Sequence, residues 1–548
     1  MFVRPTPLPY DMDLWQQKPF AERLQMVCRA WALQGYGAPL AVYGAYLVKI
    51  AGYVAMWFFF CSRSDAGGPP SSVGSWWFSL EALTKAVLWS MLYEGLGFGC
   101  GSGPLTGRYF PPVGGFLHFL WPGTTKLPLF AKLPVLGGTR RSLLDVFLYA
   151  AHCALLLRAL LAPEVTPALL LPTLVLLPIL GLSDKTIFLA SRAEHYWVAL
   201  LCLFSVDDAV AGLKWVWFAI WVWAAISKMT HHFPTVIAVM TSNNPFLRSA
   251  FIRKRLYRNF PDDLRPSTLA VATAHIGTVL EALFPLLLIA STGGVITQVG
   301  LVVMLVFHLY ITSNVPMAVP IEWNVVMVYG AFLLFGEHAE VVAWHMSHSW
   351  LAASLVVALF LVPLVGNFVP RYVSFLLSMR YYAGNWPYSI WLFRADSSKK
   401  LEKLKKVARS TGDQLRLFYD DKTARGLVSL VIAFRCMHLH GRALQALVPQ
   451  AVDDIDDYEW LDGELIAGQV LGWNFGDGHL HDHRLLAAIQ AQCGFEPGEL
   501  RCIFVESQPL FGRTLAWRIQ DAATGLLHTG TVNVNDLRQR QPWPAVVG

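Results

Sequence analysis

The sequence predicts an all-α polytopic membrane bundle of about ten helices, eight of them long apolar runs, followed by a small α+β soluble domain. Three observations predict it. Of 548 residues, 55% are hydrophobic and only 15% are charged, whereas soluble domains run at about 45–50% apolar and about 25% charged. Apolar runs of membrane-crossing length recur along the first 380 residues. From about residue 396 the composition becomes that of a soluble domain.

The shortage of charge carries the most weight. A soluble chain of this length needs charged residues to cover its surface, so much of this surface must face lipid. The mean hydropathy of +0.44 and the 21 Trp agree, since Trp gathers at the membrane–water boundary. Lipid is therefore an expected partner and nucleic acid is not.

Residues 1–37 precede any span. Phe20, Leu24, Val27 and Trp31 recur at helical spacing. They predict an amphipathic helix, lying on the membrane surface or packed on the cytosolic end of the bundle. No cleavable signal peptide is visible, and the first apolar run serves as an uncleaved signal-anchor.

A membrane helix needs ~20 largely apolar residues. Long runs occur at about 38–60, 76–99, 143–162, 165–183, 209–227, 268–291, 293–312 and 350–378. Weaker ones lie at about 186–206 and 321–336. Residues 101–142, rich in Gly and Pro, read as a long loop whose stretch 116–121 (FLHFLW) dips into the interface. With the N-terminus in the cytosol, ten spans put Arg140, Arg141, Arg253, Lys254, Arg255 and Arg258 inside. Up to residue 349 only Arg63 falls outside. That bias obeys the positive-inside rule and predicts a cell (inner or plasma) membrane protein with both termini cytosolic. Dropping the 186–206 helix would put the RKRLYR cluster outside.

The transmembrane domain is thus read as 38–395 and the cytosolic domain as 396–548. In the latter, SSKKLEKLKKVARST reads as helical, 427–434 and 501–505 as apolar runs, and 484–493 as a helix. TLAWRI and LHTGTVNV flank the turn DAATG. The eight Cys form no CxxC pair and read as small core residues.

Ionisable groups at membrane depth are costly and are functional candidates by default. Glu81 and Lys85, four apart, predict a pair within one helix. Lys228, His275, Glu281 and His308 are spread over three consecutive apolar runs. A buried Lys, Glu and two His that converge can move protons on a lipid-soluble substrate, because a desolvated Lys holds its proton less tightly. The structural alternative is a set of interhelical hydrogen bonds and ion pairs that hold the bundle together.

Residues 221–240 (WVWAAISKMTHHFPTVIAVM), 274–288 (AHIGTVLEALFPLLL) and 307–330 (FHLYITSNVPMAVPIEWNVVMVYG) resemble the membrane domain of vitamin K-dependent γ-glutamyl carboxylase. They also resemble its bacterial relatives, the horizontally transferred transmembrane (HTTM) proteins. The resemblance covers a core of about 209–336. It implies Lys228 as a base acting on a reduced quinone, with Glu281 and His308 as further catalytic positions. His275, and His231 and His232 just after Lys228, are assigned to substrate binding. The carboxylase's large domain outside the membrane has no counterpart, so glutamate carboxylation does not carry over. As a whole, the LPYDMDLWQQKPFAERLQ opening and the GWNFGDGHLHDH segment resemble an uncharacterised bacterial family of multi-pass proteins, a transmembrane domain of unknown function. LFYDD at 417–421 faintly resembles the start of a thiol-oxidoreductase motif, but no Cys pair follows and that chemistry is rejected.

In the soluble domain His479, His481 and His483 alternate, and on an extended segment they would share a face and could ligate a metal. Asp482 is instead a natural N-cap for 484–493, and Gly476 and Gly478 suit a turn. The capped turn is the stronger expectation, and metal is not expected. Taken together, the reading is a membrane enzyme acting on a quinone or a lipid. The alternatives are a transporter or channel, or a scaffold whose C-terminal domain recruits a partner.

Overall fold

The computed structural model describes residues 2–99, 114–314, 320–373 and 380–544. Six described helices are long and apolar enough to cross a membrane: Leu40–Cys61, Leu143–Leu161, Val206–Lys228, Thr268–Ala290, Gly294–Thr312 and Ser349–Phe368. The remaining apolar runs are also helical but shorter: Leu80–Gly95, Pro167–Ser183, Ala193–Phe204 and Ile321–Ala331. A multi-pass bundle is therefore present, with six rather than about ten helices of full crossing length.

Local chemistry sets the helix ends. Ser79 caps Leu80–Gly95 by accepting from Ala82 N at 3.2 Å. Ser142 and Asp145 form a capping box at the start of Leu143–Leu161. The run expected at 186–206 breaks into Lys185–Ala190 and Ala193–Phe204 at Arg192, whose φ is +50°. Arg192 is drawn inward by Glu94, which its Nε reaches at 3.0 Å. In the run at 350–378 the helix ends at Phe368, passing through a wider turn at Val356–Leu361; its stretch 374–378 lies outside the described residues. Of the FLHFLW stretch, His118 and Phe119 are buried, while Leu117 and Trp121 are 42% exposed.

The helix Ala209–Lys228 is central. Of the most apolar stretch around it, 78% is buried, against 17% for Leu40–Cys61 on the periphery. The spans Thr268–Ala290 and Gly294–Thr312 leave Ile276, Val279, Val295 and Val306 outward, as lipid-facing helices do. Lys85 shows how the bundle handles a buried charge. It lies 3.9 Å from Glu81, as the spacing predicts. It also donates to the carbonyls of Phe60, Leu160 and Ala162 at 3.0, 3.2 and 2.8 Å.

The N-terminal helix Phe20–Gln34 buries Leu24, Val27, Cys28 and Trp31. That face packs on the helix Asp421–Met437, with the Trp31 and Phe434 rings 5.4 Å apart. The apolar face that the pattern predicts is thus covered by protein. A hairpin of β1 (Tyr257–Asn259) and β2 (Asp263–Pro266) lies on the same side.

The C-terminal sheet is antiparallel with five strands: β3 (Tyr388–Arg394), β4 (Tyr458–Asp462), β5 (Leu500–Val505), β6 (Thr514–Asp521) and β7 (Gly525–Asn533), in the order β4-β3-β5-β6-β7. Strand β3 begins ahead of residue 396 and is buried on both faces, pairing Ile390 with Ile503. β6 and β7 form the hairpin predicted around DAATG. The basic stretch after β3 is not the expected continuous helix. Ser397–Lys403 makes tight turns, and a regular helix starts only at Thr411, capped by Ser410. Lys400 and Lys403 are drawn off to Glu499 and the Cys493 carbonyl. The apolar run 427–434 lies inside Asp421–Met437, which bends by 102° into Leu439–Ala451.

Candidate functional site

The central helix is built on Trp. A buried indole N–H needs an acceptor, and each finds one on a neighbouring helix: Trp217 on the Met327 carbonyl at 2.9 Å, Trp223 on the Leu359 carbonyl at 2.7 Å, and Trp221 on His308 Nε2 at 3.0 Å. Lys228 ends this helix, where a cation complements the exposed carbonyls of the last turn. It pairs with Glu281 of Thr268–Ala290, and both are buried. The Phe307 and Phe233 rings lie 5.3 and 5.4 Å from Lys228 Nζ.

His308 is fixed on both nitrogens. Trp221 can only donate, so Nε2 accepts; Asn324 Oδ1 can only accept, so Nδ1 carries the proton and donates at 2.6 Å. Asn324 is held in turn by donating from Nδ2 to the Pro320 carbonyl at 2.9 Å. The imidazole is thus neutral, with one tautomer specified. Trp221 and Phe284 pack edge to face at 5.0 Å, tying the His308 end to the Glu281 helix.

Lys228 and Glu281 are therefore paired, and His308, buried on the next span, follows Phe307, whose ring packs on Lys228. The residues assigned to substrate binding do not join them. His275 is exposed beside Ile276, because it sits six residues from Glu281 and faces about 120° away on the helix. His231 is exposed as well. His232 is buried against the C-terminal domain, with Nε2 2.9 Å from Gln508 Oε1, and burial pushes it down to about 4. Trp221 and Asn324 were not singled out from the sequence. A lone Asn in the apolar run after the SNVPMAVP stretch was the available signal.

A second buried charge cluster joins Arg192 and Glu94, with Lys49 3.9 Å from Glu322. Arg192 also stacks at 4.9 Å on Phe475 of the C-terminal domain. A third links Lys126 to Asp145 at 2.6 Å and Arg141 to Asp184 at 2.8 Å.

The three alternating His of the soluble domain diverge, because their segment turns instead of extending. His479 Nε2 lies 3.0 Å from Glu506, and His481 Nδ1 lies 2.7 Å from Ser389 Oγ. His483 stands on the surface beside Arg518 at 3.1 Å. Burial pushes His481 down to about 4. Asp482 caps the helix His483–Cys493 by accepting from Arg484 N at 2.8 Å. Burial works to raise Asp482, and the charges of Arg484 and Lys185 override it, holding it down to about 2. No group of three potential ligands converges on one point among the described residues.

No curated protein and no solved structure matches the chain. One family model does, over residues 1–547, and it describes a transmembrane protein of unknown function. Matched over nearly its whole length, with its apolar helices and buried charges arranged as described, this multi-pass integral membrane protein belongs to that family, DUF3556.

Proposed function

We propose that the protein is a membrane enzyme acting on a lipid-soluble substrate, a quinone or a lipid, with Lys228, Glu281 and His308 as its reactive cluster. The observation that supports this reading most is the Lys228–Glu281 ion pair, buried at the end of the central helix between two Phe rings. A buried ion pair is a costly way to hold two helices together, and apolar residues of similar size often do so as well or better. The pair can instead store a proton. Transfer from Lys228 Nζ to the Glu281 carboxylate leaves a neutral amine and a neutral acid with no charge moved into the lipid. The amine can then take the proton of a substrate hydroxyl. His308, neutral and fixed by Trp221 and Asn324, acts as a positioning residue that shapes the wall. The resemblance to the γ-carboxylase membrane domain assigns Lys228 the same part, and it is what brings a reduced quinone into consideration.

The bundle is proposed to cross the membrane ten times, the four shorter apolar helices included, with both termini in the cytosol. Packing of Phe20–Gln34 on Asp421–Met437 supports a shared side for the two ends.

The test is native mass spectrometry, with lipid extraction, on the protein purified in mild detergent. A co-purifying quinone or lipid that is lost in a folded Lys228→Ala variant supports the reading and names the reaction to assay. Retention unchanged by that substitution overturns it and favours flux assays for a transporter.

A further inference from the structure

We infer that the protein holds an anionic amphiphile, a lipid with a phosphate or carboxylate head, in a cavity away from the Lys228 cluster. The cavity measures about 1360 Å³. It lies between the N-terminal segment, the start of Leu40–Cys61, the turn at Asn243–Arg253 and the helix Asp421–Met437. Neither Lys228, Glu281 nor His308 lines it. Pockets for compact ligands run to roughly 300–1,000 Å³, so the space suits a head group with a chain attached.

Its charges are unevenly compensated. The acids on its wall are already engaged. Asp11 caps the helix Met12–Gln16 and lies 3.7 Å from Lys422, Asp420 caps Asp421–Met437, and Glu464 pairs with Arg435. Lys422 is itself matched by Asp13 at 2.5 Å. Arg248 and Arg253 differ. Arg253 is 5% exposed and spends its donors on the carbonyls of Leu33, Asn244 and Leu247 at 2.6, 2.9 and 2.7 Å. Arg248 donates to the Pro245 carbonyl at 2.8 Å. Among the described residues neither guanidinium is paired with a carboxylate, and each keeps N–H groups to offer. A cation buried without a counter-ion is costly, and an anionic head beside Arg253 supplies one with charge-assisted hydrogen bonds.

The surroundings indicate a membrane source for that anion. Phe246 and Phe251 each stand two residues before one of the two arginines and are 81% and 65% exposed. Exposed aromatics among basic residues are the signature of a segment at head-group depth in an anionic leaflet. On the opposite wall Leu40, Ala41 and Val42 open the first span, whose Leu47 and Val48 are 73% and 74% exposed. A chain leaving the cavity along this wall runs directly into lipid. The shared chemistry is an anion, and the apolar wall favours a lipid over free phosphate.

The experiment uses the full chain in mixed micelles of phosphatidylglycerol and phosphatidylcholine with identical acyl chains, in equal amounts, with retained lipid read by native mass spectrometry. We expect phosphatidylglycerol to be retained about tenfold over phosphatidylcholine, the ratio that one charge-assisted contact supports. Arg253→Gln should remove the preference. Arg248→Gln, at an exposed position that the fold does not depend on, should reduce it. Ala41→Trp should lower retention of both lipids by filling the apolar wall. Equal retention of the two lipids by the wild type overturns the proposal, as does a preference that survives both arginine substitutions. Displacement of phosphatidylglycerol by millimolar inorganic phosphate would reassign the site to a soluble anion. Lys228→Ala should leave this preference unchanged, so failure here and failure of the Lys228 reading are told apart.

Discussion

Trp221 donates to His308 Nε2 at 3.0 Å, and this bond, with Asn324 on the other nitrogen, fixes which side of the imidazole carries the proton. All three side chains are buried, so a lost partner is not replaced by water. Trp221→Phe keeps an aromatic ring towards Phe284 but removes the N–H together with part of the indole. It should cost at least about 1–3 kcal/mol, the penalty for one unsatisfied buried polar group, with a further loss for the space the smaller ring leaves. Thermal unfolding in detergent measures it. A variant as stable as the wild type would mean that Nε2 has another donor.

Lys228 and Glu281 make a double-mutant cycle that separates structure from chemistry. Removing either partner leaves a buried charge alone and should cost about 3–5 kcal/mol. Lys228→Met combined with Glu281→Leu removes both charges and should regain most of that loss, because both sites are dry. If the pair is only structural, the double variant keeps its bound quinone or lipid and its activity. If the pair moves a proton, the double variant is folded and inactive.

Much of the bundle was legible because bilayer thickness imposes run length, and each of the ten membrane-length runs found in the sequence is helical over most of its described residues. Their lengths were less legible, for reasons outside the runs. Arg192 breaks its helix because Glu94, ninety-eight positions earlier, draws it inward. The Lys228–Glu281 pairing was foreseeable from two charges on neighbouring spans. The fate of His275 followed from helical phase, which six-residue spacing already put off the Glu281 face. Trp221 and Asn324 were hidden because Trp is common in this chain and a single Asn carries little signal. The partners of His479, His481 and His483 were illegible, since Ser389, Glu506 and Arg518 come from strands and loops far along the chain.

Stability should fall on mild acidification, and two histidines account for part of the slope. His232 and His481 are fully buried, and burial holds each at about 4, below the ordinary value near 6.5. Between those limits the unfolded chain binds more protons than the folded one, so stability rises with pH. Each histidine contributes about 1.4 kcal/mol per pH unit across that window. The loss is absent above about pH 6.5 and levels off below about 4. Asp482, held down to about 2, adds its own loss only at lower pH, below the usual carboxylate range. Detergent melts from pH 7 to 4 should therefore be less steep for His481→Gln. An equal slope in both proteins would show that His481 gains its proton without unfolding.

The number of crossings can be read from one contact and one labelling experiment. Arg253 donates to the Leu33 carbonyl at 2.6 Å, so residue 253 and the N-terminal helix lie on the same side of the bundle. The chain between them must cross an even number of times. Among the described residues, three of the helices in that interval are of full crossing length: Leu40–Cys61, Leu143–Leu161 and Val206–Lys228. An odd number would not return the chain to its starting side, which is why we propose that shorter apolar helices contribute. Ten crossings make the count up to Arg253 six, with Leu80–Gly95, Pro167–Ser183 and Ala193–Phe204 included, and they keep the basic cluster at 253–258 inside. Single cysteines at four exposed positions test this: Arg63, Arg258, Glu340 and Lys405. The native cysteines compete little, since those described are buried apart from the half-buried Cys153. In intact cells a membrane-impermeant maleimide should label Arg63→Cys and Glu340→Cys and spare Arg258→Cys and Lys405→Cys until the cells are opened. The decisive position is Arg258. Six crossings by the long helices alone also put Arg63 and Glu340 outside and Lys405 inside, but they expose Arg258 to the outside. Labelling of Arg258→Cys in intact cells would therefore rule out ten crossings, and protection would require the short helices to span.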